Sequence, residues 1–276
     1  MRKTVRLIRL LIYISLSVHS LALFSQQGTG NSPVLPEEGM EGKNVPYITT
    51  PQDLVKKMLE LAAITPEDFL IDLGSGDGRT VITATKMGTR SLGIEYNLDL
   101  VRLSEKNASI GGVSDLARFV EGDFFEFDFS GATVITLFLL PEINMRLRTK
   151  FLAMKPGTRI VSNTFPMQEW HFDESAYTGD ESNRWNTAYL WIVPAKVEGR
   201  WALSEGEEIV FRQDFQELTG TMTVGDEIIK ISEGRLRGNQ ITFKANGTIF
   251  SGLVARDRME GSYKAGGVTN KWSASR

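Results

Sequence analysis

The stretch Phe69-Leu-Ile-Asp-Leu-Gly-Ser-Gly-Asp-Gly-Arg79 constrains the fold more than any other part of the chain. It opens as an apolar, strand-like run and reaches a carboxylate, Asp72, near its end. Gly74, Gly76 and Gly78 then alternate, and a helix-like segment, Thr80 to Met87, follows. A strand, a glycine-rich turn and a helix in that order bring backbone N–H groups close to a ligand, because glycine has no Cβ to hold it off. The next apolar run, Ser91-Leu-Gly-Ile-Glu95, ends in a second carboxylate about twenty residues past the first glycine. That is the offset of a ribose-binding acid in a nucleotide-type βαβ unit.

Asp72 narrows the ligand. A dinucleotide places its pyrophosphate over the glycine turn, and a carboxylate beside it would repel that charge. S-adenosylmethionine has no phosphate there and presents an ammonium-bearing end that a carboxylate attracts. The spacing agrees, being G-x-G-x-G and not G-x-G-x-x-G. Asp72, the glycine turn with Ser75 inside it, and Glu95 together resemble the class I S-adenosylmethionine-dependent methyltransferases.

The remaining pattern predicts α/β architecture, a doubly wound and mostly parallel sheet over residues 45–195, then a small all-β antiparallel domain over 196–276. Thr50-Pro51-Gln52-Asp53 reads as a hydroxyl-capped helix start, the helix running to about Ala63. Leu98 to Ile110 is a second helix, Ala117 to Glu121 a third strand, and Ala132 to Leu139 a fourth, apolar throughout as in a sheet covered on both faces. Pro141 opens a helix through Met154, and Thr158 to Phe165 and Tyr189 to Val193 are later strands. Beyond Pro194 the helical period gives way to short alternating runs, separated by turn signals such as Asn246-Gly247. Trp201 and Trp272 bracket that region, to pack on one another or to cap its core. Its texture loosely resembles small lipocalin-like modules.

Composition excludes several chemistries. The chain has 276 residues and no cysteine, so thiolate zinc sites, disulfides and a cysteine-bound iron–sulfur cluster are ruled out. Two histidines, one of them His19 near the start, leave little for a serine triad or a histidine metal site. A net charge of -3 gives no basic field for nucleic acid. Arg2, Lys3, Arg6 and Arg9 precede an apolar run to roughly Phe24. Residues 1–25 therefore read as a signal peptide or a short membrane anchor, predicting an exported or membrane-proximal protein, with 26–44 as a linker.

The resemblance implies roles for individual residues. Asp72, Gly74, Ser75, Gly76 and Gly78 would cradle the methionine end of the cofactor, and Glu95 would accept from both ribose hydroxyls. Asp123 would accept from the adenine amino group beside the Phe124 N–H, with Phe124 or Phe125 over the ring; alternatively Asp123 caps a turn and the phenylalanines are core. Tyr47 and Thr49 precede the leading helix, where relatives close over the methionine end. The acceptor loop would be Phe138-Leu-Leu-Pro-Glu-Ile-Asn144. It lacks the Asn/Asp-Pro-Pro-aromatic of nucleobase amine methyltransferases. With Val161-Ser-Asn-Thr-Phe165 it resembles bacterial relatives of the ATP-synthase c-subunit lysine methyltransferases. Leu139, Leu140, Pro141 and Phe165 would then line an apolar substrate channel, with Glu142 and Asn144 as catalytic candidates or merely the first turn of a helix. The acceptor implied is a protein lysine or a small molecule. A non-catalytic exported binding protein is the competing reading, and an aminopropyltransferase a weaker one, since the loop offers few acids to hold a polyamine.

Overall fold

The computed structural model describes residues 47–203 and 206–276. The leader and linker assigned above to residues 1–44 lie outside the described residues. The first half is a seven-stranded sheet with flanking helices. In chain order it comprises α1 (Gln52–Leu61), β1 (Phe69–Leu73), α2 (Arg79–Lys86), β2 (Arg90–Glu95), α3 (Leu98–Ile110), β3 (Ala117–Glu121), β4 (Val134–Leu137), α4 (Pro141–Leu152), β5 (Arg159–Asn163), β6 (Glu174–Tyr177) and β7 (Thr187–Ile192). The strand order is β3-β2-β1-β4-β5-β7-β6. β1 to β5 pair in parallel, and β7 runs antiparallel to both β5 and β6.

Side-chain alternation sorts the strands onto two faces. Leu70, Val134, Val161 and Leu190 meet Leu54, Val55, Met58 and Leu59 of α1. Ile71, Leu73, Ile135, Leu137 and Ile160 meet Ile143, Leu147 and Phe151 of α4. Both faces are covered, so the central strands read as continuous apolar runs. No helix lies between β5 and β7 among the described residues. On the α4 face that stretch is filled by Met167, Trp170 and Trp191.

The start of α1 differs from the expectation. Pro51 occupies the N-cap position and no side chain caps the helix. The Thr50 hydroxyl instead accepts from Asn163 Nδ2 at the end of β5, 3.2 Å away. A long-range partner took the hydroxyl that local sequence assigned to the cap. β6 was not expected; it is an edge strand with mostly exposed side chains and no apolar run to announce it.

The second half is a closed barrel of eight strands: β8 (Gly199–Ala202), β9 (Glu208–Asp214), β10 (Glu217–Val224), β11 (Glu227–Arg237), β12 (Gln240–Ala245), β13 (Thr248–Ala255), β14 (Arg258–Ala265) and β15 (Val268–Ser275). Closure leaves no open sheet edge. Asn246 and Gly247 both have positive φ, 45° and 76°, the backbone of a two-residue hairpin turn. Trp201 and Trp272 belong to one core with Phe211, Phe243 and Phe250. Each indole N–H is satisfied by a backbone carbonyl, Val197 O at 2.7 Å and Ser251 O at 3.1 Å.

Candidate active site

The site forms where β1, β2 and β4 end. Asp72 is 6% exposed, and the Thr136 hydroxyl of neighbouring β4 donates to its Oδ1 at 2.7 Å. Burial pushes its carboxyl up to about 7; the charges of Glu95 and Asp77 add to this, while hydrogen bonds from Thr136 and Thr80 oppose it. A cation placed beside this buried carboxyl would favour its charged form.

The glycine turn is fixed by the end of β2. Gly74 N and Ser75 N both donate to Ile94 O, at 2.9 and 3.1 Å. Gly76 N donates to Glu95 Oε2 at 2.9 Å, and Asn97 N donates to Oε1 at 3.0 Å. Glu95 therefore braces the turn while each oxygen keeps acceptor capacity. A Cβ on Gly76 would lie 3.0 Å from the Tyr47 ring, so the segment ahead of α1 closes over the turn. The same segment is tied down by Arg79 Nη1, which donates to Thr50 O at 2.8 Å. Tyr47, Asp72, Gly74, Gly76, Gly78 and Glu95 lie around this one turn.

Other residues sit differently. The Ser75 side chain is buried against Gly93, and its hydroxyl has no hydrogen-bond partner, so Ser75 contributes backbone only. Phe124 is 6% exposed in the core below β3, which removes its ring as an adenine cover. Asp123 at the β3 turn accepts from Phe125 N at 2.9 Å, an Asx-type turn. Leu139 is 1% exposed and packs toward Gly74, so it supports the turn and is not a channel wall. Asn144 is fully buried; its Nδ2 donates to Phe165 O at 3.1 Å, which makes it a positioning residue for the loop after β5. Glu142 is exposed on the first turn of α4, and Leu140 is exposed beside Pro141.

Phe138, named in the acceptor loop but not among its lining residues, and Trp185, not singled out at all, join Phe165. Phe138 stacks with Phe165 at 6.1 Å, and Trp185 meets both rings edge-on at 5.1 and 5.8 Å. These three rings, from the ends of β4 and β5 and the lead into β7, make an aromatic corner beside the acceptor loop. Nothing local marks Trp185, which lies far along the chain in a polar stretch. Among the described residues no group of acids and histidines could hold a metal ion.

The sheet order, the glycine cradle and the two strand-end carboxylates define a class I S-adenosylmethionine-dependent methyltransferase, and the buried, ionisable carboxyl of Asp72 with a Cβ-free cradle fits the cofactor's cationic end. A family model described as the ANTKMT methyltransferase domain matches residues 72–174. A protein-lysine N-methyltransferase of Saccharolobus islandicus (strain REY15A) is 40% identical over 153 residues, 54% of this chain and 94% of that protein. The Mus musculus lysine N-methyltransferase named for the ATP synthase c-subunit is 34% identical over 57% of this chain, which spans 62% of the mouse protein's length. A solved RNA methyltransferase from Salinibacter ruber, in complex with S-adenosyl-L-homocysteine, is 45% identical with a TM-score of 0.51, covering 54% of this chain and 96% of that one. The chain belongs to the methyltransferase family these relatives share, and its cofactor is S-adenosylmethionine.

Proposed function

We propose that the protein methylates the side-chain amine of a protein lysine. The observation that carries this is the loop after β4: apolar Leu140 and Pro141 beside the Phe138, Phe165 and Trp185 rings, with none of the polar clamp that holds a nucleobase amine. The lysine-modifying names of the Saccharolobus and mouse relatives support the same reading.

When bound, S-adenosylmethionine supplies an electrophilic methyl group on a sulfonium. Asp72 faces the ammonium end, Glu95 accepts from the ribose hydroxyls, and Gly76 lets the backbone approach closely. The apolar and aromatic wall strips water from an incoming lysine, which lowers its pKa and favours the neutral nucleophile. Glu142, at the exposed mouth, takes the proton directly or through water. Asn144 holds Phe165 in place and does not touch the acceptor. In-line alignment then does most of the catalytic work.

The test is incubation of the full chain with tritiated cofactor and fractionated envelope extract. Label recovered as methyl-lysine after hydrolysis supports the reading; label only in RNA or small molecules overturns it. RNA belongs among the outcomes because the Salinibacter structure carries that name. As a control, Glu95→Ala is expected to weaken cofactor binding at least about tenfold by calorimetry, one or two charge-assisted hydrogen bonds being lost. Unchanged affinity would count against the ribose assignment. The basic and apolar leader supports export or membrane anchoring, which fractionation with a carbonate wash would check.

A further inference from the structure

Where the barrel meets the segment after β5 there is a cavity of about 540 Å³. Gln168, Glu169 and His171 form one side, and the β9–β10 turn, Asp214 to Glu217, forms the other. It presents three carboxylates. Glu169 is paired with Arg148 at 2.9 Å. Among the described residues Glu217 pairs with Arg235 alone, at 3.9 Å, while that arginine is held at 2.8 Å by buried Asp173. Asp214 makes no side-chain hydrogen bond or ion pair among the described residues.

A second, independent observation points to a ligand. Gln216 lines the cavity and is 1% exposed. Its Nε2 donates to His171 O at 2.7 Å, but its Oε1 has no hydrogen-bond partner. A buried carbonyl oxygen left without a donor is costly, so a donor arriving from outside would be favoured. Two carboxylates with little cationic compensation and one orphaned acceptor call for a cation that carries several N–H groups. With no metal-holding cluster among the described residues, that cation is organic, and a guanidinium's forked donors suit the set best.

Side chains of α4 touch both the loop after β5 and the cavity, where the Arg148 guanidinium lies 5.3 Å from the Phe215 ring. Asn144 holds Phe165 O, and one turn further Arg148 holds Met167 O at 3.3 Å as well as Glu169. Arg148 lies seven residues past Pro141, about 10 Å at the helical rise of roughly 1.5 Å per residue. An extended peptide covers that span in about three residues.

We propose that this junction is a docking groove for an arginine of the acceptor protein, placed about three to five residues from the methylated lysine, with Asp214, Glu217 and Gln216 Oε1 receiving its guanidinium. The proposal rests on the lysine-acceptor reading above. The barrel then serves substrate selection by completing a groove that the sheet domain supplies only in part.

The experiment uses the full chain and synthetic peptides with one lysine and one arginine walked outward from it in a glycine-serine background. Methyl incorporation and fluorescence-anisotropy binding are both read. Arginine about three to five residues from lysine should raise kcat/KM about tenfold, as expected for one charge-assisted pair. Asp214→Asn with Glu217→Gln should abolish that preference and leave kcat/KM for the arginine-free peptide unchanged. A preference that survives in the double variant, or no dependence on arginine position, overturns the groove. If no peptide is methylated yet arginine peptides bind wild type and not the double variant, the groove stands and the lysine reading falls. If arginine peptides bind both proteins equally, the groove falls whatever the methylation result.

Discussion

Asp72 carries a proton that the unfolded chain would not. Burial, with Glu95 and Asp77 nearby, lifts its carboxyl from an ordinary 3.8 to about 7. Between those values the folded protein holds the proton and the unfolded chain releases it. The stabilisation is therefore fully present below about pH 4 and is lost as pH rises through about 7. In the cofactor-free protein, melting temperature should fall between about pH 4 and 7, with a slope that Asp72→Asn flattens. Cofactor binding has the opposite sense: the ammonium needs the carboxylate, so affinity should weaken below about pH 7, approaching about tenfold per pH unit. Thermal melts and calorimetry across pH check both, and an Asn variant with wild-type slopes would remove Asp72 from the cofactor's cationic end.

At the scale of elements, the entry to α2 shows how tightly the glycine cradle is built. Gly78 is the N-cap of α2 with φ 82°, and a Cβ there would lie 2.8 Å from the Phe119 ring and 2.9 Å from Ser104 Cβ. Gly78→Ala combines left-handed strain with overpacking and should cost about 3 kcal/mol in urea denaturation. A loss well under about 1 kcal/mol would mean that α2 shifts freely, and the cradle with it. The glycine spacing was legible in the sequence because each glycine answers a local backbone demand. The helix cap at Thr50 was misread because its hydroxyl is taken by Asn163, more than a hundred residues away. Local pattern has no access to such a partner.

At the scale of the whole molecule, the barrel seals the sheet. The α4 face has no helix after β5 among the described residues, and an apolar sheet face must be covered. Phe215, from the β9–β10 turn, stacks on Trp170 at 6.0 Å and packs against the same core as Trp191. Gln216 Nε2 to His171 O and Ala195 N to Gly238 O, at 2.7 and 2.8 Å, fasten the two halves. Phe215→Ala should cost about 2 kcal/mol, less than a fully buried phenylalanine because the ring is half-exposed. Urea unfolding followed by tryptophan fluorescence measures it. An unchanged midpoint would show that the barrel sits on the sheet without stabilising it.

The sequence alone determined the parallel sheet, the glycine cradle and the two carboxylates at its rim. Each depends on residues close in sequence: an apolar run, a glycine alternation, an acid at a strand end. It also announced a β-rich second half through alternation and hairpin turns. Only the tertiary structure decided that Phe124, Leu139 and Asn144 are supports beneath the site, that Trp185 joins Phe138 and Phe165, and that the barrel closes and covers the sheet. Those outcomes depend on burial and on contacts between distant segments, and a linear pattern of residue types does not encode which distant partner wins.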